Sequence, residues 1–454
     1  MYGATPHIGH GLNEQSLKTA LDWGAEVVVA QGTSTDPGPY YLGVGRSYMQ
    51  SIQVKQDLTT LITNCRKFRV PFIISTGGAG DNQSLESVLQ LVDDVANEEK
   101  IELNIAIIQG EISAEWLLRI LKNGGKSFPL AKSRYLQSKL DEKLVKQAVR
   151  LVAQLGPEPI IKAIERPNLH GIITGRSLDV GLFVAVPIKK EFPLALSMHF
   201  ATVMHDGALA AVPGSGSDGI FGILKTDHFI LTPPNPIRRC TPTSVAAMSF
   251  YERSNPFEEI MPSGILDVSE ADYEQIDNRS VRVKGAKWKP KPYTLKIEGA
   301  ALQGYRSICM VGACDPHFLH ALDDILKQAE SEVNEMFSNQ PKDSWEVQLR
   351  VYGRDAVLGR WAKPDSTPAE VGILIDVMAT SQTLANAVCS VSRSALMHQG
   401  YPGRKTTAGN MAVPFSPVEV EVGPSYRYNI WHAIEVEDPL EPFPIKYDIF
   451  PRRI

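Results

Sequence analysis

Residues 71–82 read PFIISTGGAGDN, an apolar run that ends in a glycine-rich turn and enters a helical pattern. The run is apolar at consecutive positions, which is typical of a strand covered on both faces of a parallel sheet. Three other runs share this character, at 25–30, 103–109 and 169–174. Helical patterns separate them, near 47–68, 82–98, 112–123 and 141–154. This order predicts an α/β fold with a doubly wound, mostly parallel sheet.

The remainder of the chain has a different pattern. Residues 213–300 carry turn signals and short strands such as 229–232 and 281–284, which predict an antiparallel extension of the sheet. Beyond them the order is β-α-β-β-α-β, as in a ferredoxin-like α+β domain. The expected elements are strands near 304–311, 345–352, 370–378 and 426–434, and helices near 315–337 and 381–399. We therefore expect an N-terminal α/β domain at 1–300 and a C-terminal α+β domain at 301–454.

Composition excludes several classes of protein. The 454 residues are 43% hydrophobic and 21% charged, which is ordinary for a globular protein. A net charge of −5 gives no electrostatic reason to expect nucleic acid as a partner. Five cysteines without a C-x-x-C pair indicate a reducing compartment, and the first residues show no signal peptide, so we expect a cytoplasmic protein. The apolar stretch 193–212 contains two histidines and an aspartate, which indicates a buried helix and no membrane partner.

Polar loops follow the predicted strands, at the edge where ligands of parallel sheets bind. The first is GTSTDPGPYYLG at 32–43, in which prolines and glycines fix the backbone. Asp36 there is a candidate general acid or base, assisted by Tyr40, because neighbouring rings raise the proton affinity of a carboxylate. The alternative is that Asp36 only caps a turn.

The second loop, GGAGDN at 77–82, enters a helix whose backbone N–H groups attract anions. Gly78, Gly80 and Asp81 are candidates for binding a carboxylate or phosphate there, and a plain tight turn is the alternative. The dinucleotide-binding pattern G-x-G-x-x-G is not met, because Gln83 occupies the third glycine position.

The fourth strand is followed by Arg176, which could hold a carboxylate through two hydrogen bonds, with Asp179 orienting the guanidinium. An arginine–aspartate pair that only joins loop to helix is the alternative. The segment GSGSD at 214–218 adds Ser215, Ser217 and Asp218 as candidate ligands of the substrate. It departs from the G-x-S-x-G pattern of serine hydrolases.

Cys240 follows two arginines and precedes a predicted helix that Thr241 can cap, so we expect a thiol that ionises easily, or else a buried one. Arg239 beside it is a candidate ligand of the substrate. Further candidates come from the C-terminal domain, where they could close over a bound molecule: Arg354, Arg404 and Asn410. The histidine pairs 199/205 and 317/320 have no matched acidic ligand, and no metal site is predicted.

Several segments in the same order resemble the acyclic terpene utilisation (AtuA-like) family, long a domain of unknown function. They are GTSTDPGPYYLG (32–43), STGGAGDN (75–82), ITGRSLD (173–179), GSGSD (214–218), DHFILTPPNPIRRCTPTSVAA (227–247), PYTLKIEGA (292–300), YGRDAVLG (352–359), YPGRKTTAGNMAVPFSP (401–417) and WHAIEVEDPLEPF (431–443). The resemblance implies an α/β domain followed by a smaller domain, and a role in breaking down acyclic terpenoids or related branched carboxylic acids. Relatives usually have a short strand before the segment that begins here at Tyr2, so an incomplete sheet edge is expected at residues 1–12.

Together these features predict an enzyme, a lyase (hydratase or dehydratase) or an isomerase, acting on a branched carboxylic acid or its coenzyme A thioester. The sequence identifies no cofactor, apart from coenzyme A as part of a thioester substrate. Two alternatives stay open at this point: a non-catalytic subunit that binds an acidic metabolite, and a hydrolase that uses Cys240. The uncovered sheet face of the C-terminal domain predicts a homodimer.

Overall fold

The computed structural model describes residues 1–131, 136, 139–251, 253–362, 368–408 and 410–452. The chain forms two compact units. Unit 1 comprises Met1–Ala301 and Tyr428–Ile454, and unit 2 comprises Leu302–Arg427. The last 27 residues therefore belong to unit 1, whereas the boundary predicted from sequence placed them with the C-terminal domain.

The described residues form 19 strands. They are β1 (Tyr2–Gly3), β2 (Val28–Ala30), β3 (Phe72–Ser75), β4 (Leu103–Ile108), β5 (Ser127–Pro129), β6 (Arg150–Ala153), β7 (Gly171–Thr174), β8 (Ile220–Leu224), β9 (Phe229–Thr232), β10 (Glu258–Met261), β11 (Gly264–Asp267), β12 (Asp272–Gln275), β13 (Val281–Lys284), β14 (Lys287–Pro290), β15 (Thr294–Ala313), β16 (Trp345–Tyr352), β17 (Val371–Ala379), β18 (Glu419–Glu435) and β19 (Ile445–Phe450).

The same residues form 13 α-helices. They are α1 (Glu14–Asp22), α2 (Pro39–Val44), α3 (Ser51–Phe68), α4 (Asn82–Glu98), α5 (Ala114–Lys122), α6 (Glu142–Gln147), α7 (Pro157–Ile164), α8 (Asp179–Lys189), α9 (Leu194–Met204), α10 (Pro242–Phe250), α11 (Pro316–His320), α12 (Leu322–Met336) and α13 (Gln382–His398). No helix in this part of the chain combines the length and the apolar character that a membrane crossing requires.

Unit 1 is built on a ten-stranded mixed sheet with the order β12-β13-β9-β8-β1-β2-β3-β7-β4-β19. The five central strands, β1-β2-β3-β7-β4, are parallel. Antiparallel strands extend the sheet on both sides. The α/β class and the partly parallel sheet are confirmed, and the antiparallel strands include the predicted 229–232 and 281–284.

Helices cover both faces of this sheet, which explains why its strands are apolar at consecutive positions. In β3, Phe72 and Ile74 pack into a core with helices α1, α3 and α4. Ile73 points to the opposite core, which contains α7, α8 and α9. Each strand residue is therefore buried whichever face it occupies.

Three parts of unit 1 differ from the sequence-based expectation. The predicted helix at 141–154 ends at Gln147, and Arg150–Ala153 pair with β15 as strand β6. Strand β19, which was not predicted from the sequence, pairs with β4 at the edge of the sheet. Tyr2 and Gly3 pair with β2 on one side and β8 on the other, so the start of the chain lies inside the sheet, and the expectation of an incomplete edge there is wrong.

Unit 2 contains the order β-α-β-β-α-β, formed by the second part of β15, α12, β16, β17, α13 and the first part of β18. Strand β17 pairs antiparallel with both β15 and β16. Ile325 and Val388 of the helices pack against Val311 and Ile375 of the strands. One sheet face is therefore covered by the two long helices of the unit.

Candidate functional site

The loops that follow the parallel strands meet at one edge of the unit 1 sheet. The Ile8 N–H donates to the Gln31 carbonyl over 2.8 Å, which joins the loops after β1 and β2. The Ser34 N–H donates to the Gly78 carbonyl over 2.9 Å, and the Arg176 N–H donates to the Gly80 carbonyl over 3.0 Å. The loops after β1, β2, β3 and β7 therefore form one continuous rim, where open parallel sheets bind their ligands.

The glycine-rich turn after β3 is tightly packed. Gly77, Gly78 and Gly80 have positive φ angles of 96°, 61° and 81°, which other residues adopt only with strain. A methyl group on Gly80 would lie 2.2 Å from the Arg176 backbone nitrogen, and one on Gly78 would lie 2.6 Å from the Ser47 Cα. These glycines permit close approach of backbone to backbone.

The start of α4, predicted to attract an anion, is occupied by carboxylates of the chain itself. The buried Asp81 caps the helix by accepting from the Ser84 N–H over 3.0 Å. The Asn82 N–H donates to Glu111 Oε2 over 2.8 Å. The N–H groups at the helix start therefore bind carboxylates of the protein itself. A role of Gly78, Gly80 and Asp81 in binding the substrate stays a prediction.

Arg176 lies in a buried ion pair with Glu298, and the side chains are 4% and 0% exposed. Its Nε donates to Glu298 Oε2 over 2.7 Å, and its Nη1 donates to the Thr33 carbonyl over 3.1 Å. Lys296 lies 3.0 Å from the other carboxylate oxygen of Glu298. Burial raises the pKa of Glu298, but Arg176 and Lys296 outweigh burial and lower that pKa to about 2. The carboxylate that Arg176 binds therefore belongs to the protein itself and not to a substrate.

Asp179 is the first residue of α8 and one of the most perturbed acids of the rim. Its Oδ1 atom is buried and has no hydrogen-bond partner among the described residues. Burial raises the pKa of Asp179 to about 6, although Arg176 and His205 lower it, and the charges of Asp206 and Asp36 raise it further. An acid that titrates near neutral pH can both accept and release a proton during turnover.

The raised pKa of Asp179 predicts a gain of stability on substitution. Between pH 3.8 and about 6 the folded chain holds a proton that the unfolded chain has released, so the free energy of unfolding falls as pH rises through that window. Asp179→Asn is therefore expected to stabilise unit 1 by about 1–3 kcal/mol at about pH 8, and by less at about pH 4. Denaturant unfolding at both pH values measures the difference.

The exposed Asp324 of α12 provides the matched control. Asp324→Asn makes the same chemical change at an exposed position, so it should change the free energy of unfolding by less than about 0.5 kcal/mol. If Asp179→Asn behaves like Asp324→Asn, the carboxylate of Asp179 is not desolvated as described.

His7 and Tyr48 form a hydrogen-bonded pair at the same rim, and sequence analysis did not identify either residue. The Tyr48 hydroxyl is bonded to His7 Nε2. His7 Nδ1 lies 2.9 Å from the Ile8 carbonyl, which can only accept, so the neutral ring donates there and accepts from Tyr48. Burial lowers the pKa of His7 to about 4, which keeps the ring neutral, and burial raises the pKa of Tyr48 well above its usual range.

Asp36 and Tyr40, the predicted acid–base pair, lie in the loop after β2. Asp36 is exposed, and its backbone N–H donates to the Ser34 hydroxyl over 3.0 Å. Its charge raises the pKa of His7, Tyr48 and Asp179, in each case as one of the smaller contributions. Tyr40 is half-buried, with its ring 5.4 Å from that of Tyr41. Catalytic roles of Asp36 and Tyr40 stay predictions.

The segment at 214–218 also reaches the rim. A methyl group on Gly11 would lie 3.2 Å from the Ser217 Cβ, which places Ser217 beside the loop after β1. The Ser215 hydroxyl lies 3.4 Å from that of Ser217. Asp218 is buried and accepts from Arg238 Nε over 2.9 Å and from Asn235 over 2.7 Å, so its carboxylate anchors the loop.

Cys240 does not have the environment that was predicted for it. The thiol is fully buried, and burial raises its pKa to about 12, which outweighs the opposite effect of Arg279. The guanidinium of Arg238 is held by Asp218, and Arg239 is exposed. The prediction of an easily ionised thiol is therefore wrong. Thr241 does cap α10 as expected, by accepting from the Ser244 N–H over 3.1 Å.

The three candidates from the C-terminal domain lie in unit 2. Arg354 is paired with Asp323 and Asp355. Arg404 donates to the His398 and Gln399 carbonyls over 2.6 and 2.7 Å, and so caps the end of α13. Asn410 is buried, and neither atom of its amide has a partner among the described residues. The two arginines thus have structural partners, although the Arg354 Nε, like both amide atoms of Asn410, has no hydrogen-bond partner among the described residues.

Within the described ranges, no group of three histidine, cysteine or acidic side chains is arranged to hold a metal ion. The chain matches the model of the family described as acyclic terpene utilisation family protein AtuA, over residues 20–190 and 223–424. Comparisons with curated proteins and with solved structures found no match.

Proposed function

The chain belongs to the acyclic terpene utilisation family, and we propose that it catalyses a proton-transfer step in that catabolism, as an isomerase or a hydro-lyase. The substrate would be a branched or acyclic-terpenoid-derived carboxylic acid or its coenzyme A thioester. The proposal joins the family's metabolic role to the acid–base groups at the rim of unit 1.

One observation carries the proposal: Asp179 and the Tyr48–His7 pair lie near one another at the carboxyl edge of the parallel strands. The charge of Asp179 raises the pKa of Tyr48, which places the two groups within electrostatic range. A buried carboxyl group with an unpartnered oxygen can accept a proton, and a neutral tyrosine held by a neutral histidine can donate one. Pairs with such separated proton affinities are typical of acid–base catalysis.

In the proposed reaction, Asp179 removes a proton from the carbon next to the substrate carbonyl, and the C–H electron pair forms an enolate. In an isomerisation, Tyr48 then donates a proton at a second carbon. In a dehydration, Tyr48 donates to the departing hydroxyl, which leaves as water. In either reaction the Tyr48 O–H turns from His7 toward the substrate to donate, and the proton that Asp179 took up then returns to the Tyr48 oxygen. His7 holds the Tyr48 hydroxyl between turnovers through their hydrogen bond.

The other candidates acquire narrower proposed roles. Asp36 is exposed at the rim, and we place it at the entrance, where its charge keeps the pKa of Asp179 high. Ser215, Ser217 and the exposed Arg239 are proposed to contact the polar end of the substrate. Arg176 is proposed to position the loop after β7 through its ion pair with Glu298. We further propose that the substrate can be a coenzyme A thioester and that the protein forms a homodimer.

The test is hydrogen exchange in deuterated water. The full chain is incubated with branched and acyclic-terpenoid carboxylic acids and with their coenzyme A thioesters, and mass spectrometry follows deuterium at the carbon next to the carbonyl. We expect enzyme-dependent exchange or isomerised or dehydrated product for at least one member. Binding detected by thermal shift, with neither exchange nor product across the panel, would instead indicate a non-catalytic binding subunit.

A further inference from the structure

Unit 2 contains a cavity of about 690 Å³ that the proposed chemistry does not use. Such a volume lies within the usual range of small-molecule sites, roughly 300–1,000 Å³. Its walls come from the ends of β15, β16 and β17 and from the segment 410–414. All of these described lining residues belong to unit 2.

Two glycines form the floor of the cavity. Gly312 of β15 pairs with Gly372 of β17, and Gly372 pairs in turn with Tyr352 of β16. Two neighbouring positions without side chains leave a depression beside the Tyr352 ring. A Cβ on Gly372 would lie 2.6 Å from the Met310 Cε, so the Met310 side chain lies over Gly372 and the open space is over Gly312. Methionine adapts readily to the shape of a ligand.

The wall at 410–414 is held like an additional strand. The Gly312 N–H donates to the Ala412 carbonyl over 2.9 Å, and the Ala412 N–H donates back to the Gly312 carbonyl over 2.7 Å. This pairing fixes Asn410 at the cavity, where the side chain is 8% exposed. Neither amide atom of Asn410 has a partner among the described residues. A buried amide in this state can donate one hydrogen bond and accept another.

The charge of the lining decides the kind of ligand. Among the described residues that line the cavity, Glu370 is a carboxylate, and lysine, arginine and histidine do not occur. The apolar lining residues include Val311, Met411 and Pro414. A carboxylate ligand would meet like charge and no cation, whereas a neutral ligand would meet neither problem.

We propose that unit 2 binds a neutral aliphatic molecule carrying one hydroxyl or carbonyl group, with the amide of Asn410 as its polar anchor. The apolar part lies over Gly312, beside Met310 and Tyr352. This site is separate from the proposed acid–base site of unit 1 and does not depend on it.

The experiment measures binding of a saturated aliphatic alcohol of about ten carbon atoms to the full chain by isothermal titration calorimetry. Wild type should give one saturable site. Gly312→Leu should weaken binding at least tenfold, because its side chain fills the cavity, while a Cβ there meets only the Val371 carbonyl oxygen, at 3.7 Å. The control is Gly400→Leu, the same change in unit 2 where a Cβ meets nothing within 4 Å, and it should bind like wild type.

Two further measurements sharpen the outcome. The carboxylic acid with the same carbon skeleton should bind at least tenfold more weakly than the alcohol at neutral pH. In the wild type, methyl resonances of Met310 and Met411 should shift when the alcohol is added, which tests the site even if Gly312→Leu fails to fold. The absence of saturation, unshifted methionine resonances, or equal binding by Gly312→Leu and Gly400→Leu would overturn the proposal.

Discussion

Glu298→Gln is expected to lower the free energy of unfolding of unit 1 by about 3–5 kcal/mol, the usual effect of removing one partner of a buried ion pair. Arg176 would remain buried, with its Nε and Nη2 groups facing an amide in place of a carboxylate. The Thr35 hydroxyl, which donates to Glu298 over 2.8 Å, would lose a charged acceptor as well. Denaturant unfolding followed by far-UV circular dichroism measures the loss.

The same substitution at an exposed glutamate shows whether burial of Glu298 causes the loss of stability. Glu142 forms an exposed pair with Lys146 in α6, so Glu142→Gln makes the same change in water and should have no measurable effect. The double variant Arg176→Met/Glu298→Leu replaces the pair by apolar side chains and should recover much of the stability lost in Glu298→Gln. Equal stability of Glu298→Gln and Glu142→Gln would mean that the pair does not organise the rim.

This ion pair also shows where sequence analysis reached its limit. The sequence predicts strand β7 from an apolar run that ends at Thr174, and Arg176 follows this strand at the rim. Its partner lies 122 positions later in the chain, in strand β15. Charge alone predicts that a buried guanidinium needs an anion, but only the tertiary structure shows that the anion is Glu298 and not a substrate.

The fold was more accessible than the site because burial leaves a local pattern. Strand β3 is apolar at consecutive positions, and helix α4 begins where its sequence predicts, behind the Asp81 cap. Strand β6 was missed because Arg150–Ala153 continue a helical pattern and become a strand only by pairing with β15. Tertiary pairing overrides local propensity in such short segments.

His7 and Tyr48 were missed for a related reason. The strand before His7 has two residues, too few for any periodicity, and Tyr48 lies in the turn between α2 and α3. Their hydrogen bond spans 41 positions. A histidine in a glycine-containing loop near the start of the sheet was a usable signal, but its partner could not be chosen among the 14 tyrosines.

Tyr48→Phe is expected to lower turnover at least a hundredfold on whichever substrate shows exchange, because general acid catalysis contributes roughly 10²–10⁴ in rate. The phenylalanine ring can keep the edge contact with Tyr41, whose ring centre is 5.7 Å away, so binding should change little. Only the hydroxyl bonded to His7 is lost. Steady-state kinetics should therefore show the change in kcat with KM nearly constant.

The control is Tyr447→Phe in β19, where the ring packs under the Arg166 guanidinium at 4.1 Å. It removes a hydroxyl from a tyrosine of the same unit and should leave kcat unchanged.

His7→Gln keeps an acceptor for the Tyr48 hydroxyl but removes the ring that fixes its position, so the decrease in kcat should be smaller than for Tyr48→Phe. Because Asp179 and Tyr48 would act on one substrate in sequence, the variant that lacks both groups should be little slower than the worse single variant. If Tyr48→Phe turns over at the wild-type rate while Asp179→Asn does not, the proton donor is a different group of the rim and the role of the Tyr48–His7 pair is structural.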